Sequence, residues 1–438
     1  MPIASGKVKT FHTLKGTKDL LGDDVRLWDR IVSVARSVAH FYGFEDIELP
    51  HIEDPAIFLA GLGKGSDLAK RQLYTLKTKE GDTLALRPDG RISTARSYVQ
   101  NNFAALPQPV KLAYVGAMFR NDALERGWFR EFHQWGVELF GEDSPVGDAS
   151  IMQVLFVLLA EIGIKDIFIH VNSLGCKDCR NAIRAQLGNY YRPKVAKICR
   201  SCRIRLKDNP LKVLECRDEK CAILKEHAPN IIDHLCEQCK THFKSVLEFL
   251  DESQIPYILN PYLVKGVDYY TRTVFEIFVA EDPNAAESKK DSEVLAIGSG
   301  GRYDNLVETL GGLPCPAVGG TIGIERVMQV IRERGIRIPM AAKPRVILIQ
   351  LGDLAKRRSL SLMEELRKAG ITVYESLGKD SIKSQLHIST KVAAEIGLII
   401  GQKEAIDRTV MVREMDSGIQ EVIPQDKLIE LLKRKLKK

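Results

Sequence analysis

The chain has no apolar run long enough to cross a bilayer. Its longest, Ile151 to Ile164, is interrupted by Gln153 and Glu161 and falls short of the roughly 20 residues that a spanning helix needs. The first twenty residues, MPIASGKVKTFHTLKGTKDL, hold no continuous apolar core of the kind a secretory signal requires. Neither membrane association nor export is therefore expected, and the cytosol is the expected compartment. A Gly-x4-Gly-Lys-Ser/Thr phosphate loop is absent, which excludes a P-loop NTPase, and no Gly-x-Gly-x-x-Gly fingerprint marks a dinucleotide fold. There is no internal repeat. The proportions of hydrophobic (45%) and charged (28%) residues exclude a disordered or collagen-like chain. A length of 438 residues then predicts two to four globular domains.

What is present is an uneven distribution of charge. Residues 340–438 hold 19 Lys/Arg against 13 Asp/Glu, and residues 172–254 hold 16 against 11, while the whole chain is only +7. The remainder is thus net negative. Eleven basic and two acidic side chains fall between Lys177 and Lys212. Two basic modules around a less basic body suggest a polyanion touching the protein in more than one place. Solvated helix faces are the plainer explanation of the same counts.

Eight of the nine cysteines lie between Cys176 and Cys239, as Cys176-x2-Cys179, Cys199-x2-Cys202, Cys216-x4-Cys221 and Cys236-x2-Cys239. Cytosolic disulfides are uncommon, so short-spaced pairs point to metal ligands or to idle thiols. Two such turns can complete one closed tetrahedral zinc site. The nearest pairing sets Cys199/Cys202 with Cys216/Cys221 and leaves Cys176/Cys179 for Cys236/Cys239. Closed sites of this kind staple a domain whose own core is thin.

Apolar spacing predicts a helix over Val25 to Tyr42 ending at Gly43, and a second, buried helix over Asp148 to Glu161. Phe44 to Leu49, Thr83 to Leu86, Lys111 to Val115, Val137 to Phe140 and Val274 to Val279 are predicted as strands. Their long connections imply a mixed or antiparallel sheet. A Gly-rich Gly298-Ser-Gly-Gly-Arg302 and a helix over Gly323 to Glu333 complete the body. Beyond Pro339, strands at Arg345 to Gln350, Ile371 to Tyr374 and Leu398 to Gly401 alternate with helices at Leu354 to Ala369 and Ser381 to Ala394. That alternation predicts an α/β domain with a largely parallel sheet, closed by a basic helix over Gln425 to Lys438. The polar stretch Glu281 to Asp291 is expected to form a hairpin loop.

Three arginine-centred segments carry the chemistry: Phe119-Arg120, Phe129-Arg-Glu-Phe-His-Gln134 leading to Glu138, and Gly319-Gly-Thr-Ile-Gly-Ile-Glu-Arg326. Glycine lets a nucleotide approach the backbone, and arginine can pair phosphate oxygens as a planar fork. With Lys15-Gly-Thr-Lys-Asp-Leu-Leu, Leu49-Pro50, Leu263-Val-Lys-Gly-Val-Asp-Tyr-Tyr270, Gly300-Gly-Arg-Tyr-Asp304 and Ser381-Ile-Lys-Ser-Gln-Leu386, nearly the whole chain resembles the class II aminoacyl-tRNA synthetases, specifically the histidyl-tRNA synthetase family.

The resemblance implies an α+β fold, with an antiparallel sheet flanked by helices as the catalytic body (1–171 and 255–339). A Cys-rich insertion domain would occupy 172–254 and an anticodon-binding-like α/β domain 340–438. It implies ATP-dependent ligation of L-histidine to tRNA through an adenylate, with Mg2+, in a homodimer. Arg120 would bridge the α-phosphate and the carboxylate, Arg326 would hold the γ-phosphate and Phe132 would stack on adenine. Asp122 would contact the adenine amino group. Gln134, Glu138, Tyr269 and Tyr270 would read histidine.

Four positions depart from the family pattern. Asp89 and Arg91 stand where Glu and Thr are usual, Arg91 bringing bulk and charge into the histidine pocket. Lys265 replaces the arginine that reaches the α-phosphate, supplying charge without the fork. Trp128 sits where an arginine normally faces ATP. A working, divergent synthetase is the favoured expectation. The alternative is a synthetase-like paralog that binds tRNA or histidine without efficient aminoacylation. A regulatory subunit of ATP phosphoribosyltransferase fits less well, since that family lacks the terminal domain.

Overall fold

Helix Asp23–Phe41 forms because Leu27, Ile31, Val34, Ala35 and Val38 recur on one face, and that face is buried. Gly43, at φ +79°, ends it by letting the Gly43 and Phe44 amides turn back to His40 and Ala39. The structure, a computed structural model, describes residues 10–63, 66, 68–121, 129–216, 218–280, 296–338, 344–376 and 378–436. It divides into two compact units, Met1–Pro339 and Met340–Lys438.

The first unit is built on an eight-stranded sheet. From one edge to the other its strands are Glu45–Asp46, Val110–Phe119, Glu131–Phe140, Ala317–Gly323, Gly298–Arg302, Thr271–Val279, Ile167–Ser173 and Tyr257–Leu259. The six inner strands are antiparallel, and the two short edge strands pair parallel to their neighbours. The strand expected over Phe44 to Leu49 is reduced to Glu45–Asp46, with the Ile47 amide adding one further bond to the Ala113 carbonyl at 2.8 Å before Pro50. Lys111 to Val115 and Val137 to Phe140 are the apolar portions of two ten-residue strands. Glycine and polar positions in their remainders, Gly116, Glu131, His133, Gln134 and Gly136, interrupt the apolar pattern and so hid the extent of pairing.

Helix Pro145–Glu161 is buried against this sheet, between helices Asp23–Phe41 and Glu237–Glu252. That explains its nearly continuous apolar sequence. The last helix of the cysteine-bearing segment sends Val246 and Leu250 into the same core. The segment therefore leaves the sheet after Ser173 and is anchored again by Glu237–Glu252 before the edge strand at Tyr257.

In the second unit a five-stranded sheet runs Val373–Glu375, Val346–Gln350, Ile396–Ile400, Thr409–Glu414, Gln420–Pro424. Only the first three are parallel; the last two add as antiparallel strands. Here the largely parallel sheet expected from alternation is corrected to a mixed one. A polar turn joins Thr409–Glu414 to the edge strand Gln420–Pro424, which is mostly exposed and mixes polar with apolar residues, so the pair lacks a continuous apolar pattern. Helices Asp353–Lys368, Ile382–Lys391 and Gln425–Leu436 lie near the expected limits. Among the described residues, no helix is long and apolar enough to cross a membrane.

Candidate active site and cysteine clusters

Residues 132, 134, 136 and 138 are two apart on one strand and so share a face. That face of Glu131–Phe140 forms the floor of a cavity of about 280 Å³. Phe132 and Gln134 line it, and Glu138 lies deeper, fully buried. Glu138 fits there because its neighbour across the ladder is Gly319, where any side chain would overlap the carboxylate. Asp89, Arg91, Arg120, Lys265, Tyr269, Tyr270 and Arg326 line the same cavity. The structure thus brings three distant cations, Arg120, Lys265 and Arg326, to one cleft. Asp122 and Trp128 lie outside the described residues, as does the loop at 281–291.

Each cation is held by a partner. Arg120 donates from Nε to the Pro88 carbonyl at 2.9 Å, and its guanidinium lies 5.1 Å from the Phe132 ring centre. Lys265 Nζ is 2.6 Å from Glu276 Oε1. Arg326 donates to the Ala296 carbonyl at 2.6 Å. Glu325, beside it, accepts from the backbone N–H of His133 at 2.9 Å and meets His133 Nδ1 at 2.8 Å, which ties the helix Ile324–Glu333 to the cavity strand.

The inner end of the cavity is organised around Arg91. Asp89 caps helix Gly90–Gln100 by accepting from the Arg91 amide at 2.7 Å, which starts the helix directly beneath the tyrosines. The Arg91 side chain then donates through Nη1 to Tyr269 and Tyr270 hydroxyls at 2.8 and 2.7 Å, and through Nε to Glu138 at 3.3 Å. Glu138 also accepts from Tyr114 at 3.2 Å and from Tyr303 at 2.5 Å. Burial pushes the Glu138 carboxyl up, to about 7, against the opposing pull of Arg91 and the Tyr303 hydroxyl. Burial disfavours the Arg91 charge, but Tyr269, Tyr270, Glu138 and Asp89 together outweigh it and hold the guanidinium above its ordinary value. Burial also raises Tyr270, to about 12. Gln134 Oε1 is buried with no hydrogen-bond partner.

Sequence reasoning passed over Tyr114, Tyr303, Glu276 and Glu325. Glu276 was signalled by a charge in the otherwise apolar stretch Val274 to Val279, and Tyr303 lies within the glycine-rich signature. Tyr114 carried no such mark, because its alternation with apolar neighbours reads as core.

The eight clustered cysteines gather as two sets, Cys176/Cys179/Cys236/Cys239 and Cys199/Cys202/Cys216/Cys221. Within each set the four sulfurs lie within 4.8 Å of one another. Four sulfurs bound at 2.3 Å to a tetrahedral zinc stand about 3.8 Å apart along an edge. Cys176 and Cys179 Sγ are 3.6 Å apart, and Cys199 and Cys216 Sγ 3.7 Å. Backbone amides of Cys176, Cys236 and Cys199 donate to Cys239, Cys179 and Cys221 sulfurs at 3.1 to 3.3 Å; these bonds favour thiolate, but burial outweighs them and raises all three thiols. Partial burial resists ionisation of Cys176, yet hydrogen bonds from Cys179 and Asp178 bring it down to about 7.

Both sets adjoin the cavity. Arg180, one residue beyond Cys179, donates to the Tyr270 and Asp268 carbonyls at 3.0 and 3.3 Å. The Glu215 carboxylate, next to Cys216, lies against Gly266.

An antiparallel sheet flanked by helices, with a cleft that gathers Arg120, Lys265 and Arg326, agrees with the class II aminoacyl-tRNA synthetase fold that the resemblance implied. The family profile described as Histidyl-tRNA synthetase matches residues 16–327, and that described as Anticodon binding domain matches 345–435. The chain is similar to a histidine--tRNA ligase of Pelotomaculum thermopropionicum, with 38% identity over 96% of this chain and 97% of that one. It is 36% identical to that of Caldicellulosiruptor bescii, over 97% and 99%. A crystal structure of apo histidyl-tRNA synthetase from S. aureus superposes with a TM-score of 0.79 at 29% identity, covering 97% of this chain and all of the other. The chain belongs to the histidyl-tRNA synthetase family.

Proposed function

We propose that this chain activates L-histidine with ATP, taken up as its magnesium complex, and transfers it from the adenylate to the terminal ribose of tRNA(His). The observation that carries this reading is the meeting of Arg120, Lys265 and Arg326 over a cavity that ends in Gln134, Glu138, Tyr269 and Tyr270. Arg120 bridges the substrate carboxylate and the α-phosphate, Lys265 supports the α-phosphate, and Arg326 takes the γ-phosphate. Phe132 stacks on adenine. The carboxylate oxygen attacks the α-phosphorus and pyrophosphate leaves. The enzyme's contribution is alignment and neutralisation of charge that grows on the phosphate oxygens. Gln134, with its unpartnered carbonyl, is suited to the substrate's α-ammonium group.

The tRNA is engaged by the unit at 340–438 and by the basic segment around Lys177 to Lys212. The working form is a cytosolic homodimer, for which Phe41 and Ile52, exposed apolar side chains near Leu49-Pro50, are available contacts. Each cysteine set would hold one structural zinc, in keeping with its sulfur spacing. The test of the reaction is ATP–pyrophosphate exchange with each amino acid in turn. Exchange dependent on histidine is expected, and a flat response across all of them would replace this reading with that of a binding paralog.

A further inference from the structure

The deepest part of the cavity is a cation cage. Three tyrosine rings, Tyr269, Tyr270 and Tyr303, surround one point, with the Glu138 carboxylate beneath it. That point is taken by the Arg91 guanidinium, whose central carbon is 5.7, 5.3 and 5.5 Å from the three ring centres. These are distances at which a planar cation is attracted to aromatic faces. Arg91 is almost wholly buried, and it engages both the Tyr269 and Tyr270 hydroxyls as well as Glu138. On the reading of function given above, these are the groups that must accept the N–H of an imidazole. They are already engaged. The fit is also incomplete, since Arg91 Nη2 is buried without a hydrogen-bond partner. A group so placed is held less firmly than its burial suggests, because one donor has lost water and gained nothing in return.

We propose that Arg91 is a tethered occupant of the substrate's side-chain slot and weakens histidine binding by this chain, because an incoming imidazole must displace its guanidinium from the tyrosine–Glu138 cage. The reading rests on the proposed histidine activation for the identity of the displacing ring, but the cage and its occupant stand on geometry alone. Histidine binding therefore carries the cost of breaking charge-assisted hydrogen bonds inside the protein. Ligands that leave the cage untouched, such as the nucleotide, carry none of it.

Arg91→Ala and Arg91→Lys test this on the full-length protein. In histidine-dependent exchange, Arg91→Ala is expected to lower the KM for histidine at least about tenfold, the equivalent of one charge-assisted hydrogen bond. The KM for ATP should not follow. Arg91→Lys, which keeps the charge but cannot span both tyrosines and Glu138, should fall between the two. It also answers the question if the alanine variant does not fold. A histidine KM that is unchanged or higher in whichever variant folds would overturn the proposal and make Arg91 a supporting or substrate-contacting residue. If neither wild type nor variant exchanges with any amino acid, the synthetase reading fails and the cage is judged by thermal unfolding. Millimolar imidazole or guanidinium should then raise the melting temperature of Arg91→Ala and leave wild type unmoved. Equal shifts, or none, would overturn the cage assignment.

Discussion

Loss of metal is the most consequential perturbation to make. Two four-cysteine sets are present, each with sulfurs within 4.8 Å of one another, so purified protein is expected to carry two zinc ions per chain. Cys202→Ser and Cys239→Ser, each removing a buried sulfur from a different set, should each reduce this to one. Structural zinc contributes on the order of 10 kcal/mol or more to small domains, as much as a whole domain's net stability. Removing either ion should therefore melt its local segment rather than loosen it. The effect should reach the active site by a defined route. Arg180 follows Cys179 and holds the Tyr270 carbonyl at 3.0 Å, so Cys239→Ser should raise the histidine KM as well as lower stability. Metal analysis by mass spectrometry, with hydrogen exchange resolved along 174–240, provides the measurement. Zinc below about half an equivalent, or two equivalents retained in either variant, would refute the reasoning. Iron in place of zinc would confirm the sulfur geometry and correct the metal, since both favour tetrahedral thiolate.

Four further outcomes follow from the site and its surroundings. Arg326→Ala should cut exchange by ~10²–10³-fold through loss of a cation facing the triphosphate, and a change under threefold in kcat/KM would remove Arg326 from that role. Lys265→Arg should raise the exchange rate by restoring a planar fork; an equal or lower rate means the Lys265–Glu276 pair is what the site requires. Glu138 has a folded-state pKa raised from 4.5 to about 7, so its contribution to stability is full below 4.5 and is lost as pH rises through 7. Urea titrations should show wild type losing on the order of 3 kcal/mol relative to Glu138→Gln across that window, and a difference that stays flat with pH contradicts the assignment. Asp148→Ala removes the buried carboxylate from Arg302, which keeps Asp304 at 3.2 Å and the Glu142 carbonyl at 2.8 Å, and should cost about 1–3 kcal/mol in the same titrations.

Much of this was readable in the sequence because it rests on local chemistry. Helix Asp23–Phe41 declares itself by apolar spacing and is stopped by a glycine, and Pro145–Glu161 by a long, nearly continuous apolar stretch. The cysteine pairing followed from proximity in the chain, since a Cys-x2-Cys turn places both sulfurs on one side before any tertiary contact forms. The residues lining the cavity were recognisable through the resemblance to the family's motifs, though they come from segments more than two hundred residues apart. The second unit's antiparallel strands were not legible, because the edge strand Gln420–Pro424 is mostly exposed and mixes polar with apolar residues.

By itself, then, the sequence determined the periodic helices, the sulfur pairs, the family to which the chain belongs and the presence of an unusual arginine at position 91. Only the tertiary structure decided what that arginine does. Whether a guanidinium points into solvent or into a tyrosine cage depends on where the Gly90–Gln100 helix starts relative to Tyr269, Tyr270, Tyr303 and Glu138. Those groups meet only when the helix, the loop before Thr271–Val279 and the Glu131–Phe140 strand pack together. Burial and partner choice are properties of that packing, and no spacing along the chain encodes them.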